Sequence, residues 1–174
     1  SRGLGDVYKR QLVLPSDQLI SQTDAYQSVM RDAITTAASS DGLVTIGIKP
    51  TWPCPSYGYI ERGERASIAG LECENAPYEV KRFREKPSPE LAEQFLAQGG
   101  FSWNAGMFVW SLPTVIGELT RQAPQLATFI SELRHSSDIN ATIAAQFPQL
   151  TPISIDYALM EKAHRAVSYT HLRA

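Results

Sequence analysis

The spacing of apolar positions along the chain predicts alternating strands and helices. Residues 12–15 form a short apolar run ended by proline, which is typical of the end of a central strand. From Thr23 to Ser39 the apolar residues recur at helical spacing, and either Thr23 or Asp24 serves as the N-cap. The next apolar run, at 43–48, predicts a second strand. Because a strand, a helix and a strand of these lengths form a βαβ unit, we expect the two strands to pair in parallel.

The middle of the chain is predicted to be extended, apart from one helix. Its extended parts are a proline-rich loop at 49–55, a strand at 57–62 and one or two more strands within 66–84, with a turn near 75–77. The helix begins with Ser88 as its N-cap and Pro89 at its first position. It ends at the glycine pair 99–100.

The segment 101–110, FSWNAGMFVW, is the stretch around which we expect the fold to be organised. Its apolar run predicts a buried strand of a covered sheet. Asn104 offers donors and an acceptor, and Gly106 lets the backbone approach a neighbour closely, which suits recognition of a hydroxyl-rich ligand. Taken alone, the pair is more simply explained by an Asn-Gly type of turn that leads into a core strand.

The last third of the chain is predicted to be helical. Apolar faces recur over 115–119 and 126–133, a further helix covers 138–147, and a last helix covers 154–163 with Ser154 as its cap. With no internal repeat and no low-complexity linker, the whole pattern fits one α/β domain.

Composition and charge narrow the classes of function. The chain has 174 residues, of which 43% are hydrophobic and 20% charged, as in a soluble globular domain. Its formal net charge of −2 and the lack of a basic stripe argue against binding to nucleic acid or to an anionic membrane. Cys54 and Cys73 have no metal-binding spacing, so we expect reduced thiols in a cytoplasmic protein.

Both ends of the chain resemble translated sequencing-adapter sequence. Residues 6–11 (DVYKRQ) can be encoded by GAT GTG TAT AAG AGA CAG. The reverse complement of that sequence, read in the appropriate frame and with its final codon completed, encodes residues 167–172 (VSYTHL). Two unrelated protein ends should not be reverse complements of each other. We therefore expect 1–11 and 166–174 to be non-native and 12–165 to be an internal piece of a longer protein, truncated at both ends.

Two aspartates are candidate metal ligands. Asp17 follows the first predicted strand, and Asp156 lies in the first turn of the last predicted helix. Carboxylates at the ends of two elements can converge on a hard cation such as Mg²⁺, which takes one or two protein oxygens and leaves its other positions to water and phosphates. Taken singly, each aspartate is more simply explained as a helix cap or as a charge that complements a helix dipole.

Three further residues are candidates for binding a substrate. Lys86 lies between a strand and a helix, where its ammonium can meet a phosphate, and Glu85 can accept hydrogen bonds from sugar hydroxyls. Gly58 either lets the backbone approach a ligand or marks a bulge in an ordinary strand. Each of these features alone is more simply explained by a solvated charge pair or by the bulge.

The order of the motifs carries more information than any one of them. The chain resembles the mannose-1-phosphate guanylyltransferases over nearly all of 12–162. The motifs that carry this resemblance are LVLPSDQLI at 12–20, TIGIKPTWP at 45–53 with YGYIE at 57–61, FREKP at 83–87, WNAGMFVW at 103–110 and SIDYALMEK at 154–162.

The resemblance implies a Rossmann-like α/β/α sandwich of the glycosyltransferase-A type, with a mixed, mostly parallel sheet. It implies an enzyme that joins GTP and mannose 1-phosphate into GDP-mannose and pyrophosphate, with no nucleic acid or membrane partner, and it leaves homo-oligomerisation open. Asp17 and Asp156 match the aspartates that hold the catalytic Mg²⁺. Lys86 matches the lysine on the sugar phosphate, Glu85 and Asn104 match the residues that bind the sugar hydroxyls, and Gly58 matches a glycine that borders the sugar.

Departures from the family pattern leave alternatives open. Gln18 stands where a histidine is common, and Arg84 where an apolar residue is usual. The glycine-rich loop that wraps the triphosphate would precede residue 12, so we expect this chain alone to be inactive, to bind mannose 1-phosphate only weakly and not to bind GTP tightly. The alternatives are a nucleotidyltransferase for another sugar 1-phosphate and a non-catalytic, sugar-nucleotide-binding regulatory paralogue. The joint presence of Asp17, Asp156 and Lys86 argues against the paralogue.

Overall fold

The computed structural model describes residues 10–68 and 72–173, with side chains up to Thr170. Strands and helices alternate through the first part of the chain and helices dominate the later part, as predicted. The strands are β1 (Arg10–Val13), β2 (Leu43–Lys49), β3 (Tyr59–Arg65), β4 (Tyr78–Arg84), β5 (Phe101–Ser111) and β6 (Ala166–Arg173). The helices are α1 (Thr23–Ser39), α2 (Pro89–Gln98), α3 (Leu112–Gln122), α4 (Pro124–His135), α5 (Ile139–Gln146) and α6 (Ile155–Ala158).

The strands form one mixed sheet in the order β1-β5-β2-β6-β4-β3, with an additional pairing between β5 and β3. An α/β fold with a mixed sheet was predicted correctly, but the expectation of a mostly parallel sheet is wrong. Among the described strands only β2 and β6 pair in parallel, and every other pairing is antiparallel. The expected parallel pairing of β1 with β2 is also wrong. Strand β5 lies between them and runs antiparallel to both.

Strand β1 is not the central strand that its sequence predicted. All four of its residues are exposed, and within the described part of the chain it pairs only with β5. Leu12 and Val13 are 44% and 39% exposed. An apolar run indicates that a segment is suited to burial, but it does not determine whether other elements pack over that segment or whether the strand is central in the sheet.

Strand β5 is the buried strand that the sequence predicted, and it supplies both faces of the core. Ala105, Met107 and Val109 pack in one cluster with residues of α1 and β2. Phe108 and Trp110 pack in a second cluster that includes residues of α3 and of the segment after α6. This alternation follows from the two-residue period of a strand. Since β5 also pairs with β1, β2 and β3, most of the fold is built around it.

Three local predictions at helix ends had different outcomes. Ser88 caps α2 as predicted, because its hydroxyl accepts a hydrogen bond from the Leu91 amide. Helix α1 starts at Thr23, but the preceding Gln22 occupies the N-cap position and no side chain caps the helix. The single helix predicted at 154–163 is instead α6 followed by a separate 3₁₀ turn at Met160–Lys162, and Ser154 makes no capping bond.

Strand boundaries moved by a few residues. The strand predicted at 57–62 is β3, which begins at Tyr59, and β4 is the strand observed between 66 and 84, where 69–71 fall outside the described residues. Across the described residues, no helix has the length and apolar character needed to cross a membrane.

The two ends that resemble adapter sequence contribute to the sheet wherever they are described. Residues 1–9 fall outside the described residues, whereas Arg10 and Gln11 belong to β1 and residues 166–173 form β6. Tyr169 of β6 is fully buried, and its hydroxyl lies 2.6 Å from the hydroxyl of Thr36 in α1. Because strand pairing gives no information about the origin of the coding sequence, the adapter origin of these residues stays a prediction.

Candidate active site

A bulge in β5 sets the position of Asn104. Thr45 of β2 lies opposite Phe108 and Gly47 lies opposite Asn104, so β5 uses more residues than β2 over the same span. Gly106 lies inside this bulge with φ of 67°, a conformation that only glycine adopts at little cost. A Cβ on Gly106 would meet nothing within 4 Å, so glycine is required here for its conformation and not for the close approach that we expected.

The side chain of Asn104 joins β5 to α6. Its Nδ2 donates to Oδ1 of Asp156 at 3.0 Å, and its Oδ1 accepts from the Gly106 amide at 3.0 Å and from the Thr45 hydroxyl at 3.4 Å. These bonds define which end of the amide is which. They hold together two candidate residues that are 52 positions apart in the chain, and they leave one Nδ2 hydrogen for a ligand.

Gly58 lies where two candidate side chains crowd the backbone. A Cβ at this position would overlap the carboxylate of Glu85 and would come within 3.2 Å of the Cβ of Asn104. The backbone carbonyl of Gly58 also accepts a hydrogen bond from the backbone N–H of Asn104 at 2.8 Å. Gly58 precedes β3, whose register shifts begin only at Glu61, so the bulge explanation of this glycine is wrong. The glycine permits close packing of Glu85 and Asn104.

Glu85 and Lys86 form a turn between β4 and α2. Lys86 has φ of 44°, the only positive value among the described non-glycine residues. Such a conformation costs on the order of 1–3 kcal/mol and persists only where its surroundings hold it. The Glu85 amide donates to Oε1 of Glu161 at 2.9 Å, and the Lys86 ammonium lies 3.4 Å from Oε1 of Glu85. The side chain of Glu85 is 10% exposed and that of Lys86 is 60% exposed, so the ammonium can reach a ligand.

Negative charge accumulates in this place. Burial raises the pKa of Glu85 above its ordinary value, the neighbouring Asp156 raises it further, and Lys86 opposes both effects. Burial also raises the pKa of Asp156, although hydrogen bonds from its own backbone and from Asn104 act in the opposite direction. The site therefore holds partly desolvated carboxylates beside the exposed ammonium of Lys86, an arrangement suited to a ligand that brings hydroxyl donors, a phosphate and a cation.

Asp17 lies near this group without being part of its hydrogen-bond network. It is exposed on the loop after β1, and the next residue, Gln18, donates to the Ala105 carbonyl at 2.8 Å. Since Ala105 follows Asn104, which binds Asp156, the loop is held close to the other candidates. Within the described residues no three or more His, Cys, Asp or Glu side chains form a group that could hold a metal ion.

A cavity of about 310 Å³ opens beside Asn104, with Gln18, Tyr57 and Trp103 in its wall. This volume is near the lower end of the range of roughly 300–1,000 Å³ for small-molecule sites. The rings of Tyr57 and Trp103 lie edge to face with centroids 5.2 Å apart, and Trp52 packs on Trp103 at 6.2 Å. The cavity thus offers aromatic surface on one side and polar groups on another.

The sequence identified most of the residues that meet here and missed others. Gly58, Glu85, Lys86, Asn104 and Asp156 come together. The residues that it missed are Gln18, Tyr57, Trp103 and Glu161. The motif at 57–61 contained a signal for Tyr57, whereas no sequence pattern marks the contact of Glu161 with Glu85, which depends on tertiary structure.

Comparison with known proteins agrees with this geometry. The nucleotidyl transferase family matches residues 2–147. A mannose-1-phosphate guanylyltransferase of Sinorhizobium fredii is 41% identical over 163 residues, which cover 89% of this chain and 30% of that protein. The chain thus spans about a third of the length of the curated relatives that it matches.

Two solved structures share the fold. The first, titled mannose-1-phosphate geranyltransferase from Thermus thermophilus, has a TM-score of 0.82 at 30% identity and covers 97% of this chain and 46% of its own. The second, titled mannose-6-phosphate isomerase from Helicobacter pylori, has a TM-score of 0.73 at 30% identity and covers 94% of this chain and 62% of its own.

Proposed function

We propose that this chain, which belongs to the nucleotidyl transferase family, forms the sugar-phosphate-binding part of an enzyme that joins GTP and mannose 1-phosphate into GDP-mannose and pyrophosphate. The observation that carries the proposal is the convergence of Glu85, Lys86 and Asn104 around Gly58, beside a cavity of the size of a small ligand. These residues match a phosphate on one side and hydroxyl groups on the other.

Each side chain has a separate task in this reaction. Lys86 binds the phosphate of the sugar, because its ammonium is exposed on a rigid turn and is a point charge. Glu85 accepts hydrogen bonds from sugar hydroxyls, and Asn104 donates through its second Nδ2 hydrogen. A sugar phosphate is already anionic at neutral pH, so the attack on the α-phosphate of GTP requires no general base. The protein contributes positioning in line with the leaving pyrophosphate and neutralisation of charge.

We also propose Mg²⁺ as the cofactor, held by Asp17 and Asp156. The donor set fits: both are carboxylates, and Asp156 is half-buried beside Glu85 with only Lys86 to offset its charge. Mg²⁺ commonly takes one or two carboxylates and completes its shell with water and phosphate oxygens. When bound, the ion would neutralise negative charge on the phosphates.

Mannose 1-phosphate is proposed over other sugar 1-phosphates because relatives of this chain are mannose-1-phosphate guanylyltransferases. Another sugar remains the alternative within the same class, and a regulatory paralogue without catalysis remains the alternative outside it. Because the chain matches the nucleotidyl transferase family, no isomerase activity is proposed for it. The soluble substrates and the free thiols of Cys54 and Cys73 lead us to propose a cytoplasmic location.

Titration of the ¹⁵N-labelled chain by NMR tests the substrate. Mannose 1-phosphate should shift the amide signals of Gly58, Lys86 and Asn104 at lower concentration than glucose 1-phosphate or inorganic phosphate does. A preference for glucose 1-phosphate would move the proposal to the alternative sugar, and no response to any sugar phosphate would contradict it.

Two matched pairs of variants localise the binding. Lys86→Gln should weaken binding of mannose 1-phosphate by roughly 10- to 100-fold, since a charge-assisted bond is lost, whereas Lys162→Gln should leave it unchanged. Gly58→Ala should weaken binding because its methyl group displaces Glu85, whereas Gly117→Ala lies in α3, where the nearest atom to the new Cβ is 3.9 Å away. Equal affinity within either pair would remove those residues from the site.

A further inference from the structure

Glu161 makes a contact that links two separate parts of the site. Its Oε1 accepts a hydrogen bond at 2.9 Å from the amide of Glu85, which lies 76 positions earlier in the chain. Glu161 belongs to the 3₁₀ turn at Met160–Lys162. That turn is well anchored, because the Met160 side chain is 2% exposed and packs in a core cluster with Ile60 and Phe83.

Glu161 binds the turn that contains Glu85 and Lys86, and the backbone of this turn is strained. Lys86, with φ of 44°, follows Glu85 directly, so the Glu85 amide lies at the start of the strained segment. Without a fixed partner for that amide, the turn is free to relax toward an unstrained conformation and to move the Lys86 ammonium. Oε1 of Glu161 accepts from this amide at 2.9 Å, an ordinary hydrogen-bond distance, and the bond therefore restrains the turn.

The same segment carries the proposed metal ligand. Asp156 lies in α6, and Glu161 lies in the next turn. Asn104 holds Asp156 on one side, and Glu161 holds the Glu85–Lys86 turn on the other. One short stretch of chain therefore determines how far the phosphate-binding ammonium is from the carboxylate that would bind the cation.

We propose that Glu161 is a positioning residue that fixes the Glu85–Lys86 turn for binding of the sugar phosphate, an inference that rests on the proposed function. Glu161 does not contact the substrate in this role. It acts through the Glu85 amide, and its effect depends on an acceptor oxygen at the correct reach and not on its negative charge.

Three substitutions separate reach from charge. Glu161→Gln keeps an acceptor oxygen at the same distance and removes the charge. Glu161→Asp keeps the charge but shortens the side chain by one methylene, so that its oxygen no longer reaches the Glu85 amide. Glu161→Ala removes both. Glu93→Ala, an exposed glutamate of α2, is the matched control for loss of a negative charge.

The first measurement needs no ligand. Hydrogen exchange of the Glu85 amide, followed by NMR, should be about tenfold faster in Glu161→Asp and Glu161→Ala than in the wild-type chain. It should be nearly unchanged in Glu161→Gln and Glu93→Ala. Because Glu161→Asp is a conservative change, it keeps the test decisive if Glu161→Ala does not fold. Wild-type exchange in Glu161→Asp would overturn the proposal.

The second measurement is the affinity for mannose 1-phosphate. Glu161→Asp should bind about tenfold more weakly than the wild type, and Glu161→Gln should restore most of the affinity. If the wild-type chain binds and Glu161→Asp binds equally well, the role of Glu161 fails while the proposed function stands. If Glu161→Gln is as weak as Glu161→Asp, the negative charge of Glu161 is needed in addition to its reach, and the role as proposed is again wrong. If the wild type itself does not bind, the proposed function fails and this inference fails with it.

Discussion

Among single residues, Asp156 shows most clearly that burying a charged side chain in a binding site lowers the stability of the fold. Its carboxylate is half-buried, and it shares the site with Glu85 and Glu161. Burial, the largest effect, raises the pKa of Asp156 in the folded chain above the unfolded value. A carboxyl with a raised pKa binds its proton more tightly in the folded state, so its contribution to stability falls as the pH rises from the ordinary carboxyl range through the raised pKa.

We therefore expect Asp156→Asn to stabilise the fold at pH 7 by roughly 0.5–2 kcal/mol, the usual range for a substitution that removes an unfavourable charge. The asparagine oxygen can still accept from Asn104. The advantage should shrink as the pH is lowered, because the wild-type carboxyl, whose pKa is raised by burial, takes up its proton before the pH reaches the ordinary carboxyl range. Urea unfolding across this pH range measures the effect, with the exposed Asp41→Asn as control. A wild-type chain that is more stable than Asp156→Asn at pH 7 would contradict the prediction.

The same residue scale shows what sequence could and could not reveal. Asn104, Glu85 and Lys86 were found because their chemical types, in ordered motifs, suit a sugar phosphate. Their geometry could not be read from sequence, since it depends on the β5 bulge and on the strained φ of Lys86. Glu161 escaped detection because an isolated glutamate in a polar turn is ordinary, and only the folded chain brings it to the Glu85 amide.

At the scale of elements, two serines that both seemed to cap helices make a direct comparison. Ser88 accepts from the Leu91 amide at 3.3 Å and begins α2, whereas Ser154 precedes α6 without a capping bond. Ser88→Ala should therefore cost about 1 kcal/mol of unfolding free energy, and Ser154→Ala should be close to neutral. Chemical denaturation measures both. A loss for Ser154→Ala as large as that for Ser88→Ala would mean that Ser154 caps a helix in solution.

Local patterns predicted elements better than they predicted pairings. Helix α1 was found at its observed bounds, and α2 with both of its ends, because helical periodicity, a capping serine and terminal glycines are local signals. The parallel pairing of β1 with β2 was wrong because β5, far along the chain, inserts between them. The last helix was predicted too long because Leu159 leaves the helical conformation between α6 and the following 3₁₀ turn.

For the molecule as a whole, the sheet depends on a strand that the sequence assigned to an adapter. Strand β6 pairs in parallel with β2 and antiparallel with β4, and so it connects the two sides of the sheet order. Its Tyr169 is fully buried in the cluster that contains Val29 and Met107, and its hydroxyl is bonded to Thr36. Residues of any origin at this position contribute to stability through burial.

Tyr169→Ala should accordingly lose roughly 3–5 kcal/mol of unfolding free energy, the cost of a large cavity in a core. Tyr169→Phe should lose only about 1 kcal/mol, because it removes the hydroxyl and keeps the ring. Tyr157→Ala, at a tyrosine that is 40% exposed, is the matched control and should change stability much less. Thermal unfolding followed by circular dichroism measures all three. A Tyr169→Ala chain as stable as the wild type would show that β6 is not in the sheet. Some other segment would then have to pack on the core residues of α1 and β2.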